Sequence, residues 1–165
     1  MVRELMRADT EAAVELLGQL WPGRRIDPAT AVEIIERYVY DPNYWMYGYE
    51  DEGALRGMVT VSFRWTLFHL GEVAIIEDLA VAQAHRGKGI GGALVSFVER
   101  KALENRRAAA FEVSSDLHGE DAHVFWQKCG YSPPAVQFGK RIAQERSAPG
   151  TSWHCGPKQQ RWRGQ

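Results

Sequence analysis

Ten residues carry the densest chemistry in the chain. From Gln83 to Gly92 it reads Gln-Ala-His-Arg-Gly-Lys-Gly-Ile-Gly-Gly, with four glycines and two strong cations. Glycine accepts positive φ and lets a ligand come close to the main chain. If a helix opens at the end of such a run, several N–H groups converge at the positive end of its dipole. That arrangement is a nest for phosphate or pyrophosphate, and Arg86 and Lys88 add positive charge to it. Just upstream lie two adjacent carboxylates, Glu77 and Asp78. Neighbours on a strand point to opposite faces, so one of the two can face a substrate and take a proton. His69, His118 and His123 are acid–base candidates by residue type, but each reads more readily as a hydrogen-bonded surface residue.

The glycine run admits three readings. Gly87, Gly89 and Gly92 fit the dinucleotide pattern G-x-G-x-x-G, with Glu112 twenty residues beyond Gly92. That motif follows its strand almost directly and opens its domain, whereas here polar residues intervene and little chain remains for a doubly wound sheet. No Gly-Lys-Ser/Thr triplet exists, which argues against a P-loop. The plain reading is a turn before a helix. The third reading is a pyrophosphate loop for coenzyme A.

The elements that must hold these residues follow from hydrophobic period and punctuation. A strand is expected over 2–6, then a helix over 11–20 capped by Asp9 or Thr10 and stopped by Trp21-Pro22-Gly23. A second helix starts at Asp27-Pro28 and ends at Asp41-Pro42-Asn43. Strands over 44–49 and 55–65 flank the turn Asp51-Glu52-Gly53, and a β-branched strand spans 73–81. A helix over 89–104, a strand over 108–114, a helix over 120–129 closed by Gly130, and a strand over 136–142 complete the order. The pattern is that of a mixed α/β domain. Residues 1–143 form this domain, and 144–165 read as a polar tail without period. The aromatic residues Tyr44, Trp45, Tyr47, Phe63 and Trp65 fall on the hairpin strands, where packing is the plain expectation.

Bulk properties narrow the classes. One domain suits 165 residues, and 45% hydrophobic with 25% charged residues is a globular balance. A net charge of −1 offers no electrostatic reason for nucleic-acid or membrane binding. No apolar run approaches a bilayer span, and 1–10 has no signal-type core, so a cytoplasmic location is expected. Cys129 and Cys155 make no disulfide framework, and His154 with Cys155 lacks the spacing of a metal site, so no metal is expected. Cys129 reads as helix-end packing.

Three segments together resemble one family. Arg86-Gly87-Lys88-Gly89-Ile90-Gly91 is similar to the acetyl-CoA loop Gln/Arg-x-x-Gly-x-Gly/Ala of the GNAT superfamily. Ile76-Glu77-Asp78-Leu79-Ala80-Val81 resembles its central strand. Ala122-His123-Val124-Phe125-Trp126-Gln127-Lys128-Cys129-Gly130-Tyr131 resembles its A-x-x-F-Y-x-x-x-G-F/Y signature. Looser features, among them Asp41-Pro42-Asn43 and Phe138-Gly139-Lys140, are similar to small bacterial members such as the aminoalkylphosphonate N-acetyltransferases.

The resemblance implies a GNAT fold: a mixed, mostly antiparallel central sheet flanked by helices on both faces. It implies an acetyl-CoA-dependent N-acetyltransferase acting on the primary amine of a small molecule by direct attack on the thioester. A peptide N-acetyltransferase and a non-catalytic CoA sensor are the alternatives. Leu79, Ala80 and Val81 would run beside the pantetheine arm, and a backbone N–H near Leu79 would face the oxyanion. Arg86, Gly87, Lys88, Gly89, Ile90, Gly91 and Gly92 would hold the pyrophosphate, with Phe125 beside the cofactor. Glu77 is the favoured base, with Asp78 as its neighbour. Tyr44, Trp65, Ser114, His123 and Trp126 would line the acceptor site. Trp126 stands where the family often has a tyrosine acid; its indole N–H cannot act as an acid, and Tyr131 is the nearby phenol. A thiol of pKa roughly 8.5 leaves without much help. The resemblance also implies a possible homodimer.

Overall fold

Alternation of apolar and polar residues turns the middle of the chain into a sheet whose two faces each need a cover. The structure, a computed structural model, describes residues 1–24, 26–116 and 119–133. Its elements are β1 (Val2–Glu4), α1 (Thr10–Leu20), α2 (Pro28–Tyr40), β2 (Tyr44–Asp51), β3 (Ala54–Thr66), β4 (Gly71–Val81), α3 (Ile90–Arg106), β5 (Ala110–Val113) and α4 (Glu120–Lys128). The five strands lie in chain order, β1 through β5. The first three pairings are antiparallel and β4 with β5 is parallel. This is the expected mixed, mostly antiparallel sheet. The expected strand over 136–142 and the tail over 144–165 lie outside the described residues. Among the described residues, no helix is long and apolar enough to cross a membrane.

Period decides which face each residue covers. Val59, Val61 and Phe63 alternate along β3 and join Tyr47, Ala74 and Ile76 under Leu94, Val95 and Val98 of α3, with Phe125 and Trp126 of α4 against the same core. Met46, Met58 and Ala80 point the other way and meet Leu5, Ala13, Leu16 and Ile35 beneath α1 and α2. Fully buried side chains of this size contribute roughly 1.5–3 kcal/mol each. α2 starts as its sequence foretells: the Asp27 carboxylate accepts from the Thr30 N–H at 2.9 Å, with Pro28 in the first turn. Asp9 sits at the N-cap of α1, but its carboxylate turns back to Arg3, at 2.7 and 2.9 Å, and to the Met6 N–H. The charged partner outcompetes the helix N–H groups for the same oxygens.

One ion pair ties the last turn of α3 to the start of β4. Glu72, 7% exposed at the start of β4, accepts from Arg106 at 2.6 and 2.8 Å. Arg106 also donates to Pro42 O at 3.0 Å and lies over the Phe63 ring at 4.5 Å. Truncating it strands a buried carboxylate. Arg106→Ala is expected to cost about 3 kcal/mol in urea unfolding, whereas Leu103→Ala on the exposed side of the same turn costs much less; equal losses would reject this role for the pair.

Candidate active site

β4 changes character halfway along. Val73 to Ile76 pair with Ala110 to Val113, so β4 has neighbours on both sides there. Beyond Ile76 it keeps only β3 among the described residues. The Ala82 N–H donates to Arg56 O at 2.8 Å, which makes the pairs at Ala80 and Asp78 the hydrogen-bonded ones in this antiparallel ladder. The main-chain groups of Leu79 and Val81 therefore face away from β3, into the opening between β4 and β5. Val81 O is taken by Arg86 Nε at 3.1 Å. Leu79 is left as a short strand edge able to pair with an extended ligand. Ser114 follows β5 and stands exposed at the mouth of this opening.

The register shifts at the same place. Thr60 pairs with Asp78 and Val61 with Ile76, so Glu77 is the extra residue of a β-bulge. This corrects the expectation that Glu77 and Asp78 point to opposite faces. Thr60 and Ser62, two apart on β3, share a face, and they donate to Asp78 at 2.8 Å and to Glu77 at 2.6 Å respectively. The bulge flips the parity of β4 and brings both carboxylates to the side covered by α2. Burial, with the Glu77 charge next, raises the Asp78 carboxyl above the ordinary range, against the opposing Thr60 bond and the charge of Arg24. Glu77 is exposed. Tyr38 of α2 sits beside the pair; burial first, then the charges of Asp78 and Glu77, push its phenol up to about 12, so it stays protonated at neutral pH. Tyr44 lies edge-on to Tyr38, ring centroids 5.0 Å apart, and is paired with Ser62 across the sheet.

The glycine run forms a short 3-10 turn over Gln83–His85 and then enters α3. Gly87 and Gly89 have φ of 76° and 80°, the left-handed region where a side chain would be strained. Gly89 is the N-cap of α3 and has no side chain to cap it. The first N–H groups of the helix, at Ile90, Gly91 and Gly92, have no side-chain cap among the described residues and can hold an anion. A Cβ at Gly91 would touch the Phe125 ring at 3.2 Å, so α3 and α4 meet closely beside Leu79. The Arg86 guanidinium braces the loop, donating to Gln19 O at 3.2 Å as well as to Val81 O. Lys88, like Arg86, is exposed.

The other expected site residues divide. Trp126 packs edge-on between Phe125 and Tyr131, at 5.0 and 5.3 Å. Tyr131 donates to Glu99 at 2.9 Å, and burial plus that carboxylate raise its phenol well above the usual range, which makes it a packing residue held in one place. His123 lies on α4 with Nε2 2.7 Å from Asp116 O. His118 lies outside the described residues. Trp65 is not brought to the opening: it pairs with Glu72 near the far end of the β3–β4 hairpin and is 79% exposed. Sequence reasoning missed Tyr38, Thr60, Ser62 and Gln19. Tyr38 had a signal, since it continues the buried stripe Ala31 and Ile35 of α2. Thr60 and Ser62 had one too, as polar residues alternating inside an apolar strand.

Comparison with known proteins agrees with this fold. The family model described as Acetyltransferase (GNAT) family matches residues 10–131. An aminoalkylphosphonate N-acetyltransferase of Salmonella typhimurium is 26% identical over 141 residues, covering 86% of this chain and 90% of that protein. A crystal structure of glucosamine-6-phosphate N-acetyltransferase from Arabidopsis thaliana superposes with a TM-score of 0.72 at 24% identity, covering 87% and 98% of the two chains. A protein from Bacillus halodurans described as a transcriptional regulator superposes with a TM-score of 0.79 at 23% identity, covering 86% and 99%. At these identities the superpositions speak for the fold.

Proposed function

The chain belongs to the acetyltransferase (GNAT) family, and from that premise we propose that it acetylates the primary amine of a small molecule through the site at the β4 bulge. It is an N-acetyltransferase, and its acetyl donor is acetyl-CoA. The observation that carries the proposal is the pairing of an open strand edge at Leu79 with two carboxylates on one face, both produced within β4.

The chain's own groups fit such a donor. An uncapped helix start at Gly89, free of any side chain that would fill it, suits a pyrophosphate. Leu79 suits an extended arm, and Phe125 packed on Gly91 would wall the route between α3 and α4. Bound acetyl-CoA supplies the activated thioester and a thiol of pKa roughly 8.5 as leaving group. The Leu79 N–H is aimed where an oxygen gaining charge would be stabilised. On the opposite face Glu77 receives the ammonium form of the acceptor, and Asp78, raised in basicity, takes its proton. Tyr38 and Tyr44 present rings to the cation. Donor and acceptor thus approach from opposite faces of the sheet and meet where β4 and β5 part. A carboxylate pair with two phenols favours a compact cationic amine.

The test is thiol release from acetyl-CoA with a panel of diamines, amino sugars, amino acids and aminoalkylphosphonates, run beside lysine-containing and free N-terminal peptides. Release with one class of small amine is expected. Release with peptides alone, or tight acetyl-CoA binding with no release from any amine, would reject the proposal.

A further inference from the structure

Two polar or charged side chains are buried among the described residues, Glu72 and Thr60. Glu72 is accounted for by its ion pair with Arg106. Thr60 is 3% exposed in the middle of β3, in a run where Met58, Val59 and Val61 are buried too. Valine has the same branched shape, so packing alone gives no reason for a hydroxyl there. Burying a hydroxyl is unfavourable unless it is hydrogen-bonded. This one donates to Asp78 Oδ2 at 2.8 Å. It stands directly across the ladder from Asp78, at the last matched pair before the bulge. Branching at Cβ restricts χ1, so the donor is held in one direction. The Tyr38 phenol of α2 comes against the same hydroxyl. The second carboxylate oxygen, Oδ1, takes no hydrogen bond from a described residue.

We propose that Thr60 is the positioning residue of the general base: its hydroxyl fixes Oδ2 of Asp78, so that Oδ1 is left in one orientation to take the proton of the acceptor amine. The inference rests on the acetyl-transfer reading and adds to it how the base is aimed. In that step the N–H bond of the ammonium breaks, the Oδ1–H bond forms, and the nitrogen keeps the lone pair that attacks the thioester. A carboxylate free to turn about its Cβ–Cγ bond would present this oxygen only part of the time. A misplacement of about 1 Å can lower a rate by two orders of magnitude. The same contact sets when the base is free. The Thr60 hydroxyl favours the ionised form, as does the charge of Arg24 beyond α1, while burial and the Glu77 charge oppose it. Tyr38 faces the pair from α2 as a neutral phenol, with Tyr44 of β2 against its ring. Without the Thr60 contact the balance tips toward the protonated acid, which can accept nothing from the amine. Ser62 makes the corresponding bond to Glu77, but at an exposed site where water can replace it.

The experiment compares the wild type with Thr60→Val and Thr60→Ser, their folding checked by circular dichroism and acetyl-CoA calorimetry. The first readout is the pH dependence of kcat with the amine found by thiol release. The second is the titration of the Asp78 carboxyl group by NMR of carbonyl-labelled aspartate, its signal identified by its loss in Asp78→Asn; it needs no acceptor. Thr60→Val is expected to lower the plateau kcat roughly 10- to 100-fold, with KM for the amine little changed. Both the acid limb and the NMR titration should move to higher pH, because the lost bond favoured the ionised form. Thr60→Ser keeps the hydroxyl and should restore most of kcat and the wild-type titration. A folded valine variant with unchanged kcat and an unmoved titration overturns the proposal alone. So does a serine variant as impaired as the valine one, or a loss confined to KM. A wild type that acetylates no amine overturns the acetyl-transfer reading and this inference together.

Discussion

Asp78→Asn is expected to lower kcat/KM for the acceptor amine by about 10²- to 10³-fold, the range of a lost general base, while raising the thermal midpoint. Both effects come from the same fact. Burial and the neighbouring Glu77 charge hold the folded-state pKa of Asp78 above its ordinary value. Such a group contributes stability only when protonated. Its contribution is fully present below the unfolded pKa and is lost as pH rises through the folded pKa, so at neutral pH the ionised carboxylate weakens the fold. Asparagine keeps an acceptor for Thr60 and removes the charge, and therefore removes that penalty along with the base. The wild-type acid limb of kcat should lie above the ordinary carboxylate range and vanish in the variant. Glu77→Gln should weaken amine binding more than it lowers kcat, because Glu77 is the exposed member of the pair. A kcat/KM unchanged by Asp78→Asn would remove Asp78 from the chemistry. A larger kcat loss in Glu77→Gln than in Asp78→Asn would exchange their roles.

Gly92→Asp should separate binding from stability in the opposite way to a damaged core. Gly92 is in the first turn of α3, at ordinary helical φ, and a Cβ there meets nothing within 4 Å. Replacing glycine inside a helix gains roughly 0.5–1 kcal/mol, and a carboxylate in the first turn adds about 0.3–1 kcal/mol through the helix dipole. The same negative charge occupies the ground proposed for the pyrophosphate. Acetyl-CoA affinity measured by calorimetry is expected to fall at least ~100-fold, from like charge in the nest and loss of the free N–H groups. The thermal midpoint should hold or rise. Gly92→Ala is the control, stabilised without loss of affinity. If Gly92→Asp binds acetyl-CoA as the wild type does, the pyrophosphate does not sit at this helix start.

Much of the fold and part of the site were legible in residue order. Asp27-Pro28 announced a helix start because a carboxylate accepts a free N–H there and proline lacks one to waste. The run from Gly87 to Gly92 announced a close-approach loop because only glycine takes φ near 80° without strain at Gly87 and Gly89. The resemblance around Phe125 and Trp126 implied a place for Phe125 beside the cofactor; that its ring packs on Gly91 came from the structure. Trp65 was not legible in this way. An aromatic residue on a strand suits a core, a pocket wall or an interface equally. Its place was decided by β3 and β4 running past Tyr44, where β2 begins, so that the hairpin end stands clear of the sheet.

What the sequence by itself determined was the set of local choices: which segments coil or extend, which face is apolar, where the main chain must be bare. These follow from interactions between residues a few positions apart. The tertiary structure alone decided how the two carboxylates stand. Alternation along an isolated strand sends Glu77 and Asp78 apart. The pairing of Thr60 with Asp78 and Val61 with Ile76 leaves Glu77 unmatched and turns both to one side. It also decided that β5 leaves β4 after Ile76, which opens the sheet beside them. A register is a property of two strands at once, and no single stretch of residues contains it.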